Sequence, residues 1–226
     1  MKHYFNFCLF LIFSTLSAQE VTIAFQPVLE GEALQLVEEG GAAGAEKVVE
    51  ALRFYLSDIA LLNAGQVVSA SNKRHHLLDA AKPKTMQLQL SVPEGITYDE
   101  LRFTLGVDSL TAASGAFGGD LDPTNGMYWT WRSGYINFKL EGTAPDCPAR
   151  KNRFQFHIGG FQGPFNSDRE VRLKVSPSAT IPMRINLDHF FDQTDLSTKY
   201  QVMSPNEEAM QVADLLVEVF RVSDSE

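Results

Sequence analysis

Apolar and polar side chains alternate one for one in short runs along most of this 226-residue chain. That period of two is its strongest constraint on fold. Successive side chains of an extended strand point to opposite faces, so each run makes a strand with one dry and one wet side. Val21 to Phe25, Met86 to Val92, Leu101 to Leu105, Phe154 to Ile158 and Val171 to Val175 all read this way. Ala51 to Leu62 is longer and more apolar, and closes on the turn residues Asn63-Ala64-Gly65. Glu38 to Ala45, rich in glycine and alanine, reads as a flexible loop. Two segments look helical. In Ser204-Pro205-Asn206-Glu207, Ser204 reads as N-cap, Pro205 as first helical residue and Glu207 as the acid three after the cap; apolar residues follow at Met210, Ala213, Leu215, Leu216 and Phe220. His189-Phe190-Phe191 reads as a single turn. The expected fold is mainly β: one antiparallel β-sandwich domain over residues 19–226 with a short C-terminal helix.

Residues 1–18 have the form of a signal peptide: Lys2 and His3, the apolar run Phe7 to Phe13, then small residues up to Ala18. The run is too short to span a bilayer. Cleavage after Ala18 leaves Gln19 first and no cysteine at the cut to take a lipid, so the expectation is a soluble chain in the periplasm or secreted, without membrane insertion. Cys8 departs with the leader and Cys147 remains alone, so no intrachain disulfide forms; the thiol is free, a ligand, or paired with another molecule. The leader carries only Lys2 among charged residues. The mature chain is therefore one charge more negative than the −9 of the whole, which argues against nucleic acid or an anionic membrane surface as partner.

Asp122 to Gly142, DPTNGMYWTWRSGYINFKLEG, holds both tryptophans of the protein. Read as a strand, it places Met127, Trp129 and Trp131 on one side and Tyr128, Thr130 and Arg132 on the other. The preceding Asp-Pro-Thr-Asn-Gly is turn chemistry, and Gly134 interrupts the run as a bulge or a point of close backbone approach. The glycine- and aspartate-rich connection from Asp108 to Tyr128 suits a long surface loop. No nucleophile elbow, HExxH zinc motif or phosphate-cradling glycine loop occurs, and the acidic pairs have no glycosidase spacing, so an enzyme is not expected.

Gly126-Met127-Tyr128-Trp129-Thr130-Trp131 with Ser133-Gly134-Tyr135, preceded by Leu105-Gly106-Val107-Asp108 and followed by Phe156-His157-Ile158-Gly159-Gly160, resembles the copper-associated MbnP-like periplasmic family. The ordered three-part pattern covers roughly Val21 to Phe220. The resemblance implies copper as cofactor, held by histidines together with a tryptophan oxidised to kynurenine, and a dihaem peroxidase-like partner that performs the oxidation. Trp129 matches the modified position, with Trp131 in reserve, and His157 matches a histidine ligand. An indole nitrogen keeps its lone pair in the ring system and is a poor ligand, whereas kynurenine offers an amine and a carbonyl.

The chain also departs from the family pattern. Its copper-binding members carry a further histidine after the Gly-Val element, where this sequence reads Asp108 to Ser114 without one. Imidazole suits copper and carboxylate suits harder ions, so Asp108 is no simple replacement. Either the site is weak, or Met127, His75, His76 or His189 completes it, or copper binding has been lost. Adjacent His75 and His76 point to opposite faces of a strand, so at most one joins a site. Arg150 to Arg153 reads as a solvated edge that discourages aggregation. Metal handling centred on His157 and Trp129, with Asp108, Met127 and Trp131 nearby, is thus the first expectation. The rival is an interaction module in which the 108–135 loop and aromatic strand bind a protein, peptide or glycan.

Overall fold

The structure, a computed structural model, describes residues 18–38, 46–131 and 134–223. The signal-peptide reading, most of the Glu38 to Ala45 loop, and Arg132 and Ser133 lie outside the described residues. In chain order the strands are β1 (Ala18–Leu29), β2 (Glu32–Ala33), β3 (Val48–Asn63), β4 (Gln66–Ala70), β5 (His75–Asp79), β6 (Gln87–Pro93) and β7 (Glu100–Leu105). They continue with β8 (Tyr128–Trp129), β9 (Gly134–Thr143), β10 (Arg153–Gly159), β11 (Arg169–Lys174), β12 (Thr180–Asn186), β13 (Gln201–Val202) and β14 (Phe220–Val222). Helices α1 (Ser109–Ala113), α2 (Leu187–Asp192) and α3 (Glu207–Val217) complete the set. Each alternating run of the sequence lies in a strand except for two end residues, Met86, which closes a 3-10 turn, and Val175, which follows β11.

Two sheets form the sandwich. One runs β14-β12-β1-β2 with β6 also on β1, the other β11-β7-β3-β9-β10-β13 with β4 and β5 on β3 and β8 on β9. Most pairs are antiparallel, but β1 runs parallel to β12 and β10 parallel to β13. β3 changes partners along its length, pairing with β9 and β5 through its first half and with β7 and β4 through its second. Asp58, at φ 51, sits in the register shift between the halves; a short side chain tolerates that conformation.

Phenylalanine dominates the core between the sheets. Phe54 stacks on Phe138 at 5.7 Å and meets Phe220 edge-on at 5.8 Å, while Phe190 and Phe191 of α2 pack on Phe156 and Phe154. The single turn expected at His189 is therefore a core-anchoring helix. α3 starts two residues later than its sequence signals suggest: the Asn206 side chain, not that of Ser204, accepts the Ala209 N–H at 2.8 Å. The helix ends at Val217, and Phe220 enters the core from β14 instead.

Candidate functional site

A second, smaller apolar cluster lies on the face of the larger sheet turned away from this core. Tyr55 belongs to it while Phe54 and Leu56, its neighbours on β3, belong to the main core, as alternation requires. The Asp108 to Tyr128 connection covers this cluster, so it is a folded cap rather than an open loop. Its α1 contributes Ala112, the 3-10 turn Gly119–Leu121 contributes Leu121, and Met127 follows the second 3-10 turn, Pro123–Asn125. Backbone groups fasten the cap. The Tyr55 hydroxyl donates to the Asp120 carbonyl at 2.9 Å, Tyr135 donates to Leu121 O and accepts from Phe117 N, both at 3.0 Å, and the Asp120 carboxylate takes the Leu77 N–H at 2.8 Å. Burial pushes both phenols above their ordinary range, so they remain protonated donors.

The aromatic strand is much shorter than its sequence suggests. Only Tyr128 and Trp129 pair, with Tyr135 and Gly134, and the chain turns at Thr130 and Trp131. Gly134 therefore opens the long strand β9 rather than forming a bulge, and the close approach there is real: a Cβ would lie 3.3 Å from the Phe161 ring. Met127 is sealed in the cap cluster, Trp129 is 5% exposed, and Trp131 stands 64% exposed on the turn, its ring 5.7 Å from that of Trp129. The three do not share one strand face. The Nε1 of Trp129 is buried and has no hydrogen-bond partner among the described residues.

Trp129 packs against the strand that carries His157. A Cβ on Gly159 would meet the six-membered ring of Trp129 at 2.9 Å, and Gly159 lies two residues beyond His157 on the same face of β10, about 7 Å along the strand. His157 is already engaged: its Nε2 lies 2.6 Å from Oε1 of Glu141, which Lys139 and Arg153 flank at 3.8 and 3.7 Å. An ionised carboxylate only accepts, so Nε2 carries a proton, and in the neutral imidazole the lone pair is left on Nδ1. Burial by itself would raise the Glu141 carboxyl, yet the His157 hydrogen bond and the Lys139 charge hold it down at about 2.

The remaining sequence candidates go elsewhere. Asp108 caps α1, taking the Thr111 N–H at 3.0 Å and hydroxyl at 2.7 Å, with His75 Nε2 at 3.5 Å and Arg74 at 3.6 Å. Burial pushes its carboxyl up, and the Thr111 bonds and the Arg74 charge outweigh that. His75 is buried; its Nδ1 lies 2.7 Å from the hydroxyl of Ser57, which donates to Gly106 O, and burial holds the imidazole below its ordinary pKa. His76, on the opposite face, binds Ser71, and His189 binds Glu218. Cys147 is buried with its Sγ 3.2 Å from the Arg153 carbonyl. Arg153 is no solvated edge residue, because it pairs with Glu50 at 3.3 Å.

Asp108 and His75 lie against each other and Thr111, while His157 bonds Glu141. His157 offers Nδ1 alone, and the indole of Trp129 offers a donor N–H. Among the described residues no three histidine, cysteine, aspartate or glutamate side chains are grouped to hold a metal ion.

Sequence reasoning missed what holds this end together. The register of β9 on β10 shifts between Ile158 and Gly159, and the bulge leaves Asn137 as the extra residue. Its amide accepts from Val107 N at 2.9 Å and donates to Ser167 Oγ at 2.9 Å, tying the Gly106-Val107 turn to the segment after β10. The glycines of both motifs are steric necessities. A Cβ at Gly106, φ 119, would lie 2.6 Å from Asn137, and one at Gly160, φ 132, 2.2 Å from the Phe165 carbonyl. Beside Trp129 a cavity of about 110 Å³ opens, lined among the described residues by Phe161, Gln162, Phe165 and Pro205 and by the glycines at 134, 160 and 163.

The model of the MbnP family matches residues 18–206. The chain belongs to the MbnP family. Among solved structures, MbnP from Methylosinus trichosporium is similar at a TM-score of 0.57 and 16% identity over 80% of each chain, a likeness of fold. No curated protein matches the chain. The three motif segments, all within the MbnP match, therefore meet at one end of an MbnP-type sandwich, where Asn137 and the glycines fix them. No helix among the described residues is long and apolar enough to cross a membrane.

Proposed function

We propose that this MbnP-family chain is exported to the periplasm, trimmed after Ala18, and works non-enzymatically in copper handling through the face that carries Trp129 and His157. The observation that carries this reading is the packing of Trp129 on Gly159, two residues from His157 on one strand face. Because His157 supplies a single free nitrogen there, the unmodified protein holds copper weakly. Oxidation of Trp129 to kynurenine by a dihaem peroxidase-like partner, as the family resemblance implies, would add the donors that the face lacks. The test is copper titration against a competing chelator, on mature chain whose intact mass fixes Gln19 as its first residue. His157→Ala removes the affinity, by about 10-fold or more. His75→Ala leaves it unchanged. Tight binding indifferent to His157→Ala places the metal elsewhere.

A second reading is favoured by the exposed Trp131, its ring 5.7 Å from that of Trp129: an interaction module that engages a protein, peptide or glycan with this end of the sandwich.

A further inference from the structure

Both tryptophans of the chain stand at this end of the sandwich, one buried and one in water. Their ring centroids lie 5.7 Å apart with the planes inclined at 42°, inside the contact range of aromatic pairs. The two rings differ in what reaches them. An oxidant that is itself a bulky complex or a protein touches Trp131, 64% exposed, and not Trp129, 5% exposed. They differ also in what leaves them. One-electron oxidation turns an indole into a radical cation whose N–H is acidic. Water takes that proton from an exposed ring, whereas the buried Nε1 of Trp129 has no acceptor among the described residues. The buried phenols of the same cluster offer no equal route, because a phenol near neutral pH gives up an electron only as its proton leaves. Tyr135 donates to the Leu121 carbonyl and Tyr55 to the Asp120 carbonyl, neither of which takes up a proton.

We propose that Trp131 is the electron port of Trp129: an oxidant at the surface draws an electron from the exposed indole, and the buried indole refills it. The oxidant gains one electron, Trp131 is restored, and Trp129 is left as a radical cation with its proton in place. No bond forms or breaks. Hydration favours the charge on Trp131, and ring contact lets Trp129 share it. The proposal deepens the oxidation of Trp129 put forward above and rests on that reading for its use, while the electron step itself needs neither copper nor a partner protein.

The experiment is flash photolysis of the mature full chain with photogenerated tris(bipyridine)ruthenium(III), a one-electron oxidant too large to enter the fold, followed by transient absorption. The radical cation and the deprotonated radical of indole absorb at different wavelengths, and each of two variants leaves a single indole. Trp129→Phe leaves Trp131, which loses its proton to water and gives the neutral radical alone. Wild type gives in addition a radical cation that outlasts this proton loss. Trp131→Phe forms that cation at least about 10-fold more slowly than wild type, with an unchanged thermal midpoint. Only the neutral radical in wild type overturns the proposal, as does a cation formed equally fast in Trp131→Phe, which would mean that electrons leave Trp129 directly or by way of Tyr128. Absence of any indole radical in all three proteins overturns it as well. Failure of the oxidation reading is a separate result: protein from the periplasm then lacks the mass change of kynurenine at Trp129, whatever the flash shows.

Discussion

His157 and Glu141 show how one residue pair sets the character of a face. Glu141 fixes which imidazole nitrogen holds the proton, and His157 in return stabilises the carboxylate, held at about 2 where an ordinary glutamate sits at 4.5. A depressed folded-state pKa means stability that is fully present above 4.5 and is lost as pH falls from there through about 2. Glu141→Gln is therefore expected to lose on the order of 2 kcal/mol near neutral pH. Urea unfolding across pH checks it: the gap between wild type and variant is constant above about pH 5 and closes between 4.5 and about 2. A gap that persists undiminished at the acid end would show that the loss is one of packing rather than charge.

Among the elements, the ends of β9 and β10 carry the site because a bulge and three glycines let segments approach to backbone contact. Asn137 holds the Gly106-Val107 turn, Gly159 seats Trp129, and Gly160 lets the Phe165 carbonyl in. A Cβ at Gly159 would lie 2.4 Å from the Tyr135 carbonyl as well as against the indole, so backbone must move. Gly159→Ala should destabilise the protein by roughly 1–3 kcal/mol, as overpacking does. It should also shift Trp129 fluorescence in the folded state. Measurement in a Trp131→Phe background isolates that signal, and an unchanged spectrum would mean that the ring is not seated there.

For the whole molecule, the core needs residues beyond the family match. That match ends at 206, yet Val212, Ala213 and Leu216 of α3 and Phe220 of β14 are all buried in the main core, with Phe220 against Phe54 and Phe103. Burial of Val212, Leu216 and Phe220 is worth roughly 2 kcal/mol each, together comparable to the net stability of many domains. A chain truncated after Asn206 is expected to lose its cooperative thermal transition. Retention of a sharp transition near that of the full chain would place the last helix and strand outside the cooperative unit.

By itself the sequence determined the class of fold and marked β1, β3, β6, β7, β10 and β11, because the period of two is a local property that burial enforces residue by residue. It also marked the three segments that meet at the site, and it showed that a second aligned histidine is missing. The parallel pairing of β1 with β12, the partner exchange of β3 and the bulge at Asn137 were decided only by tertiary structure, since register depends on residues far apart in the chain. The same holds for the site. Glu141 diagonally across the ladder from His157, Asp108 turned to Thr111 and His75, and the residues that join Trp129 around a cavity all depend on which strands lie side by side. Alternation tells a side chain which face to take. Only the packed sheet tells it what it will find there.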